Sequence, residues 1–176
     1  MAINRRVQGL DRLNRQLRAL PALQAREASR ALEQGAGDIA DAIHGAAPDA
    51  ALKASVDFGP GAPPSGAILK GGPLTAAQEA KAAHRLMFSV WAGDDTAFWA
   101  RWTEYGTAAH AIRPKRGSAV LRFDTASGPA FAQGVYHPGA RAQPFFWPSV
   151  RARRRAAVAR VVRASNRAAK LAAAVR

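Results

Sequence analysis

The sequence predicts an α+β protein, with N-terminal helices, a small, mostly antiparallel sheet, a long loop or arm, and a long basic C-terminal helix. Three observations lead to this class. Leucines recur at helical spacing near the N-terminus, apolar and polar residues alternate in the middle of the chain, and alanines and arginines dominate residues 149–176. A length of 176 residues suits one domain, so we expect a single domain over residues 1–176.

Two helices are predicted before residue 47. The first carries an apolar stripe at positions i, i+3, i+7 and i+10, formed by Leu10, Leu13, Leu17 and Leu20. Pro21 ends this helix or starts the next one, which should run from about Ala22 to Ala46 and close at Pro48. The short joint indicates either a helical hairpin or one kinked helix. Gly35 and Gly37 should weaken the second helix by about 1 kcal/mol each relative to alanine.

Four segments have the pattern or composition of β-strands. Residues 52–58 alternate apolar with polar side chains, which is typical of a half-buried strand. Residues 86–92 are rich in strand-forming side chains and should form a central strand. Val120 to Phe123 and Phe131 to Tyr136 should be two further strands, joined through residues 127–129.

Residues 59–73 contain five glycines and four prolines. No packed element tolerates that density, so the segment is predicted to be a loop or a projecting arm. Residues 74–84 could form a short helix. The aromatic segment 97–105 fits neither the helical nor the strand period, so its state stays open.

The last element is predicted to be a helix that Ser149 caps and that runs to near Arg176. Nine basic residues and no acidic ones lie in residues 151–176. Four of them form a basic stripe at positions i, i+3, i+7 and i+10, namely Arg160, Arg163, Arg167 and Lys170. Arginines in the first turn oppose the helix dipole, which suggests that their charge has a use.

The net charge of +14 is confined to the C-terminal part of the chain. Residues 1–100 hold 11 basic and 10 acidic residues, whereas residues 101–176 hold 15 basic and 2 acidic ones. A one-sided basic field favours an acidic partner or a nucleic acid such as DNA, and the basic stripe is the candidate contact. The alternative is a solvated basic helix that keeps the protein soluble.

Catalytic and metal-binding patterns are absent from the sequence. There is no cysteine, and no histidine pair has the spacing of a metal site. Nucleophile-elbow, phosphate-loop and dinucleotide-binding motifs are missing as well. We therefore expect no enzyme activity, no cofactor and no metal. Glu104 is expected to form an ion pair with a nearby arginine.

No membrane association is expected, because the longest strongly apolar run, residues 86–93, has the length of a strand. The polar N-terminus lacks the apolar region of a secretory signal. Aromatic side chains cluster in two segments and are the candidates for subunit interfaces or packing. With the acid between them, these residues are Trp99, Trp102, Glu104, Tyr105, Phe145, Phe146 and Trp147.

Three stretches of the sequence, in this order, resemble a known family. The first is Gly9–Leu13, which opens the leucine-spaced helix. The second is Trp99–Thr107, which is similar to an aromatic–Glu–aromatic–Gly–Thr signature. The third is His137–Gly139 followed by Ala142–Pro148, which leads into the last helix. Together they resemble the tail-completion or neck proteins, also called head–tail joining proteins, of long-tailed double-stranded-DNA bacteriophages.

The resemblance implies a structural virion protein at the head–tail junction, present in the host cytoplasm during assembly. It implies a ring of six copies between the head connector and the tail-terminator or tail-tube proteins, with DNA passing through the lumen. Two departures concern the first hairpin: Pro48–Lys53 lacks the family's Thr-Gly, and 59–73 has the character of an insertion. The alternative function is a basic nucleic-acid-binding protein that acts through its C-terminal helix.

Overall fold

The computed structural model describes residues 9–71, 86–115 and 120–175, and it confirms the predicted α+β class. Two long helices bracket three small antiparallel sheets. The elements in chain order are α1 (Leu10–Ala46), α2 (Ala50–Ala54), β1 (Asp57–Pro60), β2 (Leu69–Lys70), β3 (Phe88–Ala92), α3 (Ala100–Tyr105), β4 (His110–Ile112), β5 (Leu121–Thr125), β6 (Gly128–Ala132), β7 (Val135–His137) and α4 (Phe146–Ala173). In these described stretches, no helix combines the length and the apolar character needed to cross a membrane.

The two long helices, α1 and α4, pack against each other in antiparallel fashion. The Gln16 side-chain amide donates to the carbonyl of Ala173 at 2.9 Å, so the start of α1 lies beside the end of α4. Small residues allow a close approach: a Cβ built at Gly35 would lie 3.0 Å from the Cβ of Ala157. Gly35, which was expected only to weaken its helix, therefore gives α4 room to approach α1. The buried alanines of this seam are Ala31, Ala36, Ala40, Ala164, Ala168 and Ala172.

The predicted break at Pro21 does not occur, because α1 is one continuous helix of 37 residues. Proline removes one helical hydrogen bond, to the carbonyl of Leu17. Both residues lie on the exposed side of the helix, where water can satisfy that carbonyl. Packing against α4 holds the rest of α1 together, so of the two alternatives the hairpin is wrong, and the two predicted helices form a single helix that runs through Pro21. Three leucines of the predicted apolar stripe are exposed, namely Leu10, Leu13 and Leu17.

The strand predicted over residues 52–58 is wrong over residues 52–56. The Asp49 carboxylate accepts a hydrogen bond from the Leu52 N–H at 2.8 Å and thereby caps the short helix α2. Leu52 is completely buried, and the strand β1 begins only at Asp57. The capping aspartate after Pro48 thus outweighs the alternation of apolar and polar residues.

The central sheet has the strand order β1-β3-β2, and both pairings are antiparallel. The prediction of a central strand over residues 86–92 is thus confirmed by β3. Of the two alternatives predicted for 59–73, a loop is present over 61–68, but a projecting arm is wrong where the structure describes the segment, because β2 pairs with β3 and Leu69 is buried. Only the stretch 62–66 is largely exposed. Residues 72 and 73 and the helix predicted at 74–84 lie outside the described residues.

The hydrophobic core lies where the second half of α1, the start of α4 and the central sheet meet. Its largest fully buried side chains are Phe145, Phe146, Ile43 and Leu52. Small residues of β3, of the segment before α3 and of α3 itself complete it, including Ala92, Ala97 and Ala100. We call everything outside residues 107–140 the body.

Residues 107–140, which we call the β arm, leave the body between α3 and α4. The arm consists of two antiparallel ribbons, β4 with β7 and β5 with β6. The predicted hairpin near residues 120–136 is therefore present, but its second half divides into β6 and β7 around Gly134. None of the described arm residues is buried.

The base of the arm is closed by Thr107 and Ala140, which exchange two backbone hydrogen bonds of 2.9 and 3.1 Å. A glycine with positive φ stands at each side of this bridge, Gly106 at 71° and Gly139 at 88°. A Cβ at Gly106 would lie 2.6 Å from the carbonyl oxygen of Ala140, and one at Gly139 would overlap the carbonyl oxygen of Thr107. Both positions therefore require glycine.

Candidate functional site

Glu104 is the polar centre of the region between α3 and α4. Its side chain is 3% exposed, and its two carboxylate oxygens accept three backbone hydrogen bonds from the start of α4. The N–H groups of Phe145 and Phe146 donate to Oε2 at 2.8 Å each, and that of Trp147 donates to Oε1 at 3.1 Å. Because the next residue, Pro148, has no N–H, the carboxylate satisfies every free donor of this helix end.

The position of this cap corrects two expectations. Ser149 does not begin the helix; it lies inside α4, and its hydroxyl donates to the carbonyl of Phe145 at 2.7 Å. Glu104 caps a helix and does not pair with an arginine, as had been expected. Within the described residues, no ion pair includes Glu104. A negative charge at a helix N-terminus is favourable and offsets the unfavourable arginines of the first turns.

A second acidic residue, Asp94, holds the turn before α3. One carboxylate oxygen of Asp94 accepts hydrogen bonds from the Thr96 hydroxyl, the Ala97 N–H and the Thr96 N–H. The Thr96 hydroxyl bond, followed by the two N–H bonds, lowers the pKa of Asp94 below its ordinary value of 3.8. This turn brings Ala97 and Ala100 into the core and so sets the direction of α3.

The candidate aromatic residues divide into three groups by burial. Phe145 and Phe146 are buried in the core of the chain, so they pack the fold and are not an available surface. Trp102 and Tyr105 are more than half exposed. Trp99 and Trp147 lie between these extremes: the Trp99 indole N–H donates to Asp49, and that of Trp147 donates to the Tyr105 hydroxyl at 2.7 Å.

Phe98 belongs to the exposed aromatic group but was not among the candidates. It makes edge-to-face contacts with Trp99 and Trp102, with ring centroids 5.4 and 5.5 Å apart, and it is itself more than half exposed. The spacing of four residues between Phe98 and Trp102 is the signal that would have indicated their contact, had this segment been assigned to a helix.

A cleft of about 870 Å³ lies between α3 and the base of the β arm. Trp99, Trp102 and Ile112 give it apolar walls. Its polar lining includes His110, His137, Arg141 and Gln143. Its aromatic side chains and its arginine belong to the residue types that are enriched at protein–protein contacts.

The two histidines of this cleft are cross-strand partners, and their rings lie 5.2 Å apart. His110 Nδ1 lies 2.9 Å from the carbonyl oxygen of Ala108, which can only accept, so this nitrogen carries a hydrogen. His137 Nδ1 accepts from the Gly139 N–H at 3.0 Å, so in the neutral ring the hydrogen is on Nε2. Across the part of the chain that is described, no three residues of metal-binding type come together.

The basic stripe of α4 is partly neutralised inside the chain. Arg160 pairs with Asp38 of α1 at 2.6 Å, and Arg167 reaches Glu27 of α1 at 3.3 Å. Glu27 is 4% exposed, so Arg167 supports a buried carboxylate. Arg163 and Lys170 are exposed, and these two residues of the stripe remain candidates for an outside contact.

Four further arginines near the start of α4 are exposed and were not among the candidate contacts. They are Arg151, Arg153, Arg154 and Arg155. The signal for them was present in the sequence, because arginine is unfavourable in the first turns of a helix. Together with Arg163 and Lys170 they are exposed cations of α4.

Comparison with known proteins adds no relative. A scan against protein-family models, a search of curated proteins and a search of solved structures each return no match.

Proposed function

We propose that this chain is a structural subunit of a tailed-bacteriophage particle, where it completes the tail end and joins it to the head connector as part of a ring. The observation that carries the proposal is the β arm, a substantial part of the chain in which no described residue is buried. Two-stranded ribbons are marginally stable alone in water, and neighbouring subunits would supply the missing packing.

The structure also gives a physical reason for the motifs of the family that the sequence resembles. The aromatic–Glu–aromatic segment supplies Glu104, and the segment before the last helix supplies the N–H groups that it caps. The two motifs are therefore parts of one structural unit, although 41 residues separate Glu104 from Phe145. This coupling supports the family relationship, because each motif needs the other.

In the proposed ring the chain acts through shape and charge, without catalysis and without a cofactor. Its partners are further copies of itself, in a ring of six, with the head connector on one side and the tail-terminator or tail-tube proteins on the other. It reaches the virion from the host cytoplasm, where the particle is assembled. DNA passes through the lumen, and the exposed cations of α4 are its candidate contacts.

A second candidate is a nucleic-acid-binding protein that acts through α4. The exposed arginines at the start of that helix favour it. The two functions differ in how binding depends on oligomeric state, because a DNA-binding monomer needs no ring.

The test is electron microscopy of the purified protein in negative stain, together with analytical ultracentrifugation. We expect closed rings with a central hole, and we expect particles assembled without this chain to contain separate heads and tails. A protein that stays monomeric at high concentration, with normal particle yield in its absence, would rule out the proposal.

The DNA contact is tested separately with Arg163→Gln combined with Lys170→Gln. Because these side chains are exposed and make no ion pair among the described residues, stability should stay within about 0.5 kcal/mol of wild type. The slope of log affinity against log salt should fall by roughly one unit per lost phosphate contact. Unchanged affinity and slope would leave these two cations without a role in DNA binding.

A further inference from the structure

We propose that the β arm of one subunit docks on an acidic groove of the next subunit, formed by α1 and β1. We define this acidic groove by Glu33, Asp38, Asp41 and Phe58. The proposal rests on the ring proposed above and names the two surfaces that hold it together. The occupant of the groove is a second copy of this chain, because the charge and exposure of the two surfaces match and a ring brings them together.

The β arm is positively charged and has exposed apolar side chains. Residues 107–140 contain four basic residues and one acidic residue, a net charge of +3. The single acid, Asp124, lies 3.8 Å from Arg122, so these two charges partly neutralise each other. Arg113 and Lys115 remain exposed, while Phe131 and Tyr136 are 62% and 73% exposed.

The acidic groove has the complementary character. It is open, with a volume of about 590 Å³, and the ring of Phe58 forms an apolar part of its surface next to Gly37. Of the charged residues that line the groove, three are acidic and two are basic, namely Arg30 and Arg160, which leaves a net charge of −1. Asp38 forms an ion pair with Arg160, whereas the side chains of Glu33 and Asp41 are exposed. Arg30 lies beside them in the groove.

Within one subunit, the charges of the arm are not paired with the charges of the groove. Among the described residues, no ion pair joins the arm to α1 or β1. In a head-to-tail ring each subunit contributes one arm and one groove, and closure leaves neither surface free. Exposed aromatic side chains of the arm, meeting Phe58 and the apolar walls of the groove, would then form the buried centre of the contact, with charges around it.

Reciprocal charge reversal tests this pairing. The groove variant is Glu33→Lys with Asp41→Lys, and the arm variant is Arg113→Glu with Lys115→Glu. Each variant alone places like charges at every contact and should weaken self-association by roughly 100-fold at low salt. In an equimolar mixture each arm meets a groove of opposite charge, whichever variant supplies it, so alternating rings should form.

The variant Arg12→Glu with Arg15→Glu is the matched control, because it reverses two exposed charges of α1 outside both surfaces. Circular dichroism and thermal melts verify that each variant is folded, and sedimentation measures assembly before and after mixing. Variants that still form rings alone, or a mixture that fails to restore rings, would overturn the docking of the arm on the groove. If the wild-type protein still forms rings in that case, the proposed function stands and another pair of surfaces holds the ring together. A wild-type protein that forms no ring would overturn both proposals.

Discussion

The body and the β arm are built by different means. The body has a core of fully buried side chains such as Ile43, Leu52 and Phe146, and its two long helices are joined by ion pairs and hydrogen bonds. The arm has regular strand pairing but no buried residue among those described. This difference indicates that the body carries the stability of the chain. In the proposed ring, the arm would serve contacts with other subunits.

The boundary between the two regions is narrow. Glu104 and Thr103 belong to α3, and the Thr103 carbonyl accepts a hydrogen bond of 2.7 Å from the N–H of Gln143. Immediately beyond, Thr107 and Ala140 close the base of the arm. A substitution on the body side of this boundary should therefore change stability, and one on the arm side should change assembly.

The largest effect is expected at Glu104. Replacing it with alanine leaves three N–H groups at a buried helix end without an acceptor, so the free energy of unfolding should fall by roughly 3–5 kcal/mol. The control is Asp124→Ala in the arm, which should change it by less than about 0.5 kcal/mol. Urea denaturation of the free subunit measures both, and equal effects would contradict the division into body and arm.

The next largest effect concerns the seam between α1 and α4. Gly35→Leu inserts a large side chain where the Cβ alone would lie 3.0 Å from that of Ala157, and it should cost about 2–3 kcal/mol. Gly45→Ala is the matched control, because no atom lies within 4 Å of its Cβ position. That change should be neutral or stabilise α1 by up to about 1 kcal/mol. A tolerated leucine at position 35 would show that the helices are not closely packed there.

Removing the arm should change stability little. Residues 108–139 can be replaced by Asn-Gly, a dipeptide that suits a tight turn between Thr107 and Ala140. Because no described arm residue is buried, the free energy of unfolding of the body should stay within about 1 kcal/mol of wild type, whereas self-association should be lost. A large loss of stability, measured by the same urea denaturation, would mean that the arm belongs to the core.

The smallest effect is a dependence on pH at the turn before α3. The folded-state pKa of Asp94 lies below the unfolded value near 3.8, so its hydrogen bonds stabilise the protein above that pH and are lost as the pH falls through the folded pKa. Asp94→Asn should lower the melting temperature slightly at pH 7 and remove this part of the acid sensitivity. Identical melting temperatures of both proteins from pH 7 to pH 3 would contradict it.

The sequence predicted the elements whose signals are local. The β-rich stretch around Val90 and the long basic helix are where periodicity and composition placed them. Elements decided by distant contacts were missed. β2 forms in a Gly/Pro-rich segment because β3 offers it a partner, and α1 continues through Pro21 because α4 packs along it.

The candidate site was predicted in the same uneven way. Composition identified the aromatic segments and Glu104, but the role of that acid depends on a helix end 41 residues away. Burial divided the aromatic residues into core and surface, and no local pattern distinguishes Phe146 from Trp102. Likewise, the stripe on α4 was visible as a spacing, whereas its pairing with Asp38 and Glu27 depends on how the two helices are aligned.

The two glycines at the base of the arm have a geometric consequence. A ring closes only when every subunit is rotated by the same angle relative to its neighbour. In the proposed assembly, the direction in which the arm departs would set that angle, and Gly106 and Gly139 determine this direction through backbone conformations that other residues rarely adopt. A small change in curvature, multiplied around the circumference, would turn a closed ring into an open spiral.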